Sequence, residues 1–305
     1  MSYRLSFDGD LSDSTRRTAH EQLDHAAERL GNGASEDPVA AVHDARKNLK
    51  KARSLLRLVQ SDLDRQTYRR ENRAMRDAGR EVADVRDADV MVETLDKLRE
   101  RFVGFVAGVA FDELIHRFKD DAKKKRDGHD ALALDNLVKS LRAIAGRVDD
   151  WALDGTDWRT AERGIAKAYK RGRKAFKRAL AKPTTKNLHE LRKRVKDLWY
   201  HDRLLHAAWP VLLAAAAKEA HALADRLGDD HDLALLDERL RGLDGPPAAI
   251  DEVLGLVTQR RDELLDEIKS LGRCIYAETP KAFRRRLREY LQEAARAPAA
   301  ASASS

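Results

Sequence analysis

The sequence predicts an all-α protein made of two four-helix-bundle-like halves related by a pseudo-two-fold internal repeat. Three observations carry that expectation. Charged residues make up 36% of the 305-residue chain and aromatic residues 6%, with 16 glycines and 7 prolines, the composition of long amphipathic helices. Apolar residues recur at helical spacing almost from the start, and strands are hard to find. Two short segments also recur in the same order at nearly constant separation.

Taken in order, Ser12 or Asp13 is placed to cap a first helix that runs to Gly31, where Gly31-Asn32-Gly33 stops it. Asp37-Pro38 opens the second, because a proline in the first turn gives up only an N–H that has no helical partner. That helix continues to about Gln60. Further helices are expected at about 64–84, 88–126, 130–148, 158–182, 184–208, 210–227, 231–242, 246–273 and 280–296, with bends at Gly104 and Gly108. The Ala/Pro/Ser tail 297–305 reads as disordered.

The repeat aligns Val42-His43-Asp44-Ala45-Arg46-Lys47-Asn48-Leu49-Lys50 with Leu188-His189-Glu190-Leu191-Arg192-Lys193-Arg194-Val195-Lys196 at an offset of 146 residues. Asp87-Ala88-Asp89-Val90 aligns with Asp230-His231-Asp232-Leu233 at an offset of 143. Similar offsets in the same order imply a duplicated helical unit. The halves divide near Asp150 to Asp157, giving 1–150 and 151–296, followed by the tail.

A net charge of +7 and a pI near 9.4 favour a polyanionic partner, although 52 acidic residues accompany the 59 basic ones. The single cysteine, Cys274, can form no disulfide within the chain and no thiolate zinc cage, which suits a reducing, cytoplasmic compartment. The longest apolar runs, Val103 to Phe111 and Trp209 to Ala217, fall short of the roughly 20 residues that span a bilayer. No targeting segment or membrane partner is expected.

Distribution of charge is more telling than its sum. On the first repeat helix Val42, Ala45, Leu49, Ala52, Leu56 and Val59 form one apolar stripe. His43, Arg46, Lys47, Lys50, Arg53 and Arg57 occupy a separate arc of about 120° that contains no acidic residue. In the second copy Leu188, Leu191, Val195 and Leu198 repeat the stripe, and His189, Arg192, Lys193, Lys196 and Arg203 repeat the arc, with Trp199 in place of Arg53. Ordinary solvated faces mix signs, since like charges one turn apart repel. Stacking five or six like charges costs about 1 kcal/mol or more, so a neutralising partner accounts for them better.

Two further helices extend the pattern. Lys167, Lys170, Lys174 and Arg178, with Arg163 and Lys177, share a face opposite Ile165, Ala168, Phe176 and Ala179, and Arg69, Arg73, Arg76 and Arg80 line another. Their counterparts are not similarly basic: the first helix holds Asp13, Glu21, Asp24 and Glu28, and Glu219 lies where Arg76 would. The binding surface is therefore expected to be lopsided. The run Arg284-Arg285-Arg286-Leu287-Arg288 points in several directions and reads as a solubilising segment. Because Arg and Lys dominate these arcs over Asn, Gln and aromatic residues, the surface suits phosphates without bases. A linear phosphate chain fits those residue types best.

At the two nine-residue motifs the sequence resembles the CHAD family, the conserved histidine α-helical domain. Supporting matches are Val85-Arg86-Asp87-Ala88-Asp89-Val90, Leu227-Gly228-Asp229-Asp230-His231-Asp232-Leu233 and Tyr276-Ala277-Glu278-Thr279-Pro280-Lys281-Ala282-Phe283. The resemblance spans about residues 10 to 293. It implies two four-helix bundles that bind inorganic polyphosphate in a basic central groove and associate with polyphosphate granules and their proteins. The motif positions it carries onto this chain are His43, Arg46, Lys47, Lys50, His189, Arg192, Lys193 and Lys196. Some relatives carry an N-terminal triphosphate-tunnel hydrolase domain, which is not expected in this chain.

The same residues invite rival chemistries. His43-Asp44, His129-Asp130, His201-Asp202 and His231-Asp232 invite a metal-dependent phosphohydrolase reading. Adjacent helical residues point about 100° apart, however, and cannot jointly ligate one ion. Asp87, Asp89, Asp230 and Asp232 are expected to begin helices, capping exposed N–H groups. His43 and His189 are expected either to donate to phosphate or fix neighbouring side chains, with protonation near pH 6.5 tightening binding in acid, or to be buried at the core edge as satisfied histidines. No phosphate loop, His-Glu-x-x-His pair or nucleophile elbow is present. No enzyme activity, cofactor or metal is expected, and nucleic-acid backbone binding is the main alternative.

Overall fold

Capping side chains set where several helices begin. Asp10 Oδ1 accepts from Ser12 N at 2.8 Å and caps α1 (Leu11–Gly33), two residues before Ser12 and three before Asp13, where caps were expected. Asp64 Oδ1 accepts from Gln66 N and Thr67 N at 2.8 and 2.9 Å and opens α3 (Arg65–Glu81). Asp157 opens α7 (Trp158–Ala181) by accepting from Arg159 N, and Thr184 opens α8 (Thr185–Leu204) by accepting from Asn187 N. Prolines open α2 (Pro38–Leu58), α9 (Pro210–Arg241), α10 (Pro247–Ile275) and α11 (Pro280–Ser302). The remaining helices are α4 (Asp84–Arg101), α5 (Gly108–Asp127) and α6 (Ala131–Ala145), with a short 3-10 turn at His206–Ala208.

The computed structural model describes residues 3–7, 10–33, 38–81, 84–103, 108–127, 131–153, 155–243 and 247–302. Among the described residues every regular element is helical. None of these helices is long and apolar enough to cross a membrane.

The helix expected over 88–126 is two helices, α4 and α5, with Gly108 opening the second; Gly104 lies outside the described residues. The reverse holds for α9, which runs unbroken where two helices, 210–227 and 231–242, were expected. Helix α11 continues through Ser302, past the point where the sequence suggested a tail.

Helix α1 packs on α2 and α6, and α3 packs on α2 and α6. Helix α7 packs on α8 and α11, while α9 packs on α8 and α10. The α4–α5 pair leans across: α4 contacts α9 and α10, and α5 contacts α10. Ion pairs reinforce that seam, Arg101 with Glu263 at 2.6 Å and Arg239 with Asp121 at 2.9 Å.

The core follows the predicted stripes. Val42, Ala45, Leu49, Ala52, Leu56 and Val59 are buried, as are Leu188, Leu191, Val195 and Leu198, and Ile165, Ala168, Phe176 and Ala179. The turn after α6 is pinned to α1, since Ser12 Oγ donates to the Leu153 carbonyl at 2.6 Å and Arg16 to that of Trp151 at 3.1 Å. Gly155 supplies the positive φ of 79° that this turn needs.

Candidate anion-binding site

Burying the apolar stripe of α2 turns the opposite side outward. His43, Lys47 and Lys50 are exposed, while Arg46, Arg53 and Arg57 are half-buried. On α8, Lys193 is exposed and His189, Arg192, Lys196 and Arg203 are half-buried. Arg69, Arg73 and Arg80 of α3 are exposed and Arg76 is half-buried; Lys167, Lys170, Lys174 and Arg178 of α7 are exposed.

The two motif helices touch near their C-terminal ends. His201 Nε2 donates to the Ser54 carbonyl at 3.0 Å, and Arg57 Nη2 lies 2.7 Å from Asp197 Oδ1. The contact moves back along α8 as it advances along α2, so the helices run past each other in opposed directions. Their motif segments therefore extend to opposite sides of the crossing, about 16 Å each way at 1.5 Å per residue. The N-terminal strap seals this seam: Leu5 N donates to the Leu204 carbonyl at 2.8 Å, and Tyr3 Oη to that of Lys51 at 2.8 Å.

Cations crowd the crossing. Burial lowers Lys51 to about 8, with Arg203 of α8 and Lys47 of α2 pushing the same way. Arg53 is lowered to about 10 by burial, by Arg57 and by Arg76 of α3, and its Nε donates to Asn72 Oδ1 at 3.3 Å. The crossing thus gathers Lys47, Arg53, Arg57, Arg76 and Arg203 from three helices. Arg57 is the exception in role, because Asp197 takes its charge and makes it a tie between α2 and α8. On α3, Arg76 lies 2.8 Å and Arg80 3.9 Å from the same Asp77 oxygen. Lys167 of α7 reaches Gln60, just beyond α2, at 2.8 Å.

Farther out on α8 the motif side chains engage α9. The His189 ring lies 4.4 Å from that of His231, and burial lowers His189 to about 4, helped by His231, Lys193 and Arg192. His189 is therefore neutral at pH 7, which corrects the expectation that it titrates near pH 6.5. Arg192 crosses α9 at Gly228, where an added Cβ would lie 3.0 Å from its Nη2. Gly228 accommodates that guanidinium, which explains why a residue that reads as a helix break sits inside α9.

Asp230 and Asp232 accordingly lie within α9 and do not begin a helix, contrary to expectation. Asp230 is buried and pairs with Arg261 at 2.9 Å, whose Nη2 reaches Thr185 Oγ1 at 3.3 Å. Asp87 and Asp89 fall in the first two turns of α4, and their side chains lie outside the described residues. Of the His-Asp dipeptides, His201-Asp202 is buried, Asp44 pairs with Arg29 at 3.2 Å, and His129-Asp130 lies outside the described residues. Among the described residues no three His, Cys, Asp or Glu side chains group to hold a metal ion. The C-terminal arginines are largely neutralised: Arg284 and Arg288 reach Glu162 at 2.5 and 3.0 Å, and Arg286 reaches Glu278 at 2.6 Å.

The buried His201 supplies a pH prediction. Burial depresses it from 6.5 to about 4, so the unfolded chain takes the proton first as pH falls. Stability is expected to decline from about pH 6.5 towards pH 4, by ~2 kcal/mol at about pH 5. Urea titrations of wild type and His201→Gln at about pH 7 and about pH 5 check this; an equal acid loss in the variant would refute it.

The family model for the CHAD domain matches residues 17–241. The chain belongs to the CHAD family. Helices α2, α3, α7, α8 and α9, which carry the arrangement above, all fall within the CHAD match. The fold is similar to PptA from Streptomyces chartreusis, with 15% identity, a TM-score of 0.58, and 88% of this chain and 99% of that chain covered. It is also similar to the CHAD domain from the plant Ricinus communis, with 18% identity, a TM-score of 0.60, and 91% and 95% covered. At such identities these likenesses establish the CHAD fold. No curated protein sequence matches this chain.

Sequence reasoning missed Lys51 and Tyr3. Lys51 is set about 100° from Lys50, at the edge of the arc, and only the approach of α8 brings it beside Arg203. Tyr3 precedes the first helix, where no periodicity marks it.

Proposed function

We propose that this CHAD protein binds inorganic polyphosphate along the basic faces of α2 and α8, without catalysis, and that it associates with polyphosphate granules in the cytoplasm. The observation that carries this reading is the crowding of Lys47, Lys51, Arg53 and Arg203 where α2 and α8 cross. A linear phosphate chain lowers that repulsion at several points at once and needs no base contacts. The family membership and the motif residues point the same way. Exposed cations contribute roughly 0.2–1 kcal/mol each, so about eight or more engaged together, each near the upper end of that range, reach about micromolar affinity.

Calorimetric titration with long-chain polyphosphate and with duplex DNA, at two salt concentrations, tests the reading. Submicromolar polyphosphate binding with DNA at least about tenfold weaker is expected. Equal binding would make the faces a general clamp for phosphate backbones.

Proton linkage offers a second check. Because neighbouring cations help hold Lys51 at about 8, a bound polyanion raises it and favours its protonated form. Binding at about pH 8 is therefore expected to take up protons and to tighten as pH falls through that value. Calorimetry in two buffers of different ionisation enthalpy measures the uptake, and Lys51→Met should reduce it. Buffer-independent heats in the wild type would count against polyphosphate lying at the crossing.

A further inference from the structure

Between α8, α9 and the N-terminal strap lies a cleft of about 590 Å³ whose chemistry differs from the rest of the basic surface. Tyr3 and Trp199 supply aromatic walls, and Leu213, Ala214 and Ala217 an apolar floor. Arg203 stands over both rings, its guanidinium carbon 5.3 Å from the Trp199 centroid and 5.5 Å from that of Tyr3. Arg4 and Lys218 add positive charge to the lining. The one carboxylate there, Asp225, is taken by His221 Nδ1 at 2.5 Å.

The aligned place in the first half is built differently. Trp199 stands where the first motif helix has Arg53, and Arg53 bridges to α3 through Asn72. The second copy has exchanged a cation for an indole and faces it with alanines of α9. A bare phosphate chain has no use for an aromatic wall and an apolar floor. A ligand that joins a planar apolar body to phosphates uses all three parts, since bases stack on aromatic rings and on guanidinium planes. The volume suits such a molecule, as ligand pockets run to about 300–1,000 Å³.

We propose that this cleft is a nucleotide site. A nucleoside triphosphate lays its base over the apolar floor against Trp199 and the Arg203 plane, and its phosphates meet Arg203, Arg4 and Lys218. The phosphate contact shares Arg203 with the polyphosphate path and to that extent rests on the proposed function; the base contact is independent of it.

Calorimetry of ATP against inorganic tripolyphosphate isolates the base, because both present a chain of three phosphates. ATP is expected to bind about tenfold more tightly, the order expected for one stacked base. Ala214 is exposed on α9, so Ala214→Trp fills the cleft without entering the core. That variant is expected to erase the advantage of ATP and leave long-chain polyphosphate affinity unchanged. ATP binding no better than tripolyphosphate, or an advantage that survives Ala214→Trp, overturns the site. An equal loss of polyphosphate affinity in the variant also overturns it, by making the cleft part of the polyphosphate path. If ATP keeps its advantage while long-chain polyphosphate does not bind, the proposed function falls and the nucleotide site stands.

Discussion

Reversing one charge in each motif helix, Lys47→Glu with Lys193→Glu, is expected to weaken polyphosphate binding by about 100-fold. Each reversal removes an attraction and installs a repulsion of similar size, so four increments of roughly 0.5–1 kcal/mol are lost. That sum is about 2–4 kcal/mol, or roughly two decades in Kd at its centre. Both lysines are exposed, so the helical circular-dichroism signal should stay at its wild-type value. The salt dependence should also flatten, because fewer counterions are displaced from the ligand.

The control is Arg285→Glu, which alters net charge at an exposed site on α11. Its neighbours Arg284 and Arg288 already serve Glu162, and its affinity should differ from wild type by less than about threefold. Matching losses per charge in the control and in the double variant would show that net charge governs binding, and the assignment of α2 and α8 would fail.

What the sequence disclosed depended on whether a property belongs to one helix or to a pair. The core stripes of α2, α7 and α8 were legible because burial of Val42, Ile165 or Leu191 follows from the 3.6-residue period alone. The basic arcs were legible for the same reason. Pairing between helices was not. Gly228 reads as a helix break until Arg192 is seen lying over it, and the Arg284–Arg288 run reads as surplus charge until Glu162 is placed beneath it. His189 reads as an ordinary imidazole until the ring of His231 stands against it. Each of these features depends on a partner tens of residues or more away, which periodicity cannot register. The candidate site follows the same rule: its cations could be named from the sequence, whereas their convergence at Lys51 and Arg203 required the α2–α8 crossing.

That crossing depends in turn on how closely α7 approaches α2, and Gly164 sets the limit. A Cβ on Gly164 would lie 2.0 Å from the Leu58 carbonyl oxygen, 2.7 Å from its carbon and 2.9 Å from its Cα. All three are backbone atoms, so no rotamer change relieves the clash and the two helices must move apart. Elsewhere in a helix glycine to alanine gains about 0.5–1 kcal/mol. Here the sign is expected to reverse, with Gly164→Ala losing about 3 kcal/mol, the upper end of typical overpacking.

Gly255, inside α10 two turns from its start and with nothing within 4 Å of an added Cβ, provides the opposite case, and Gly255→Ala should be mildly stabilising. Urea denaturation midpoints of the two variants make the comparison, and a Gly164→Ala protein as stable as wild type would refute the close-packing argument. Moving α7 outward also breaks the Lys167–Gln60 hydrogen bond of 2.8 Å and draws the α7 cations away from the end of α2. The folded Gly164→Ala protein should therefore bind polyphosphate more weakly by a factor of about three, roughly one exposed ion pair. Affinity unchanged despite the lost stability would confine polyphosphate to α2 and α8 and leave the α7 face outside its path.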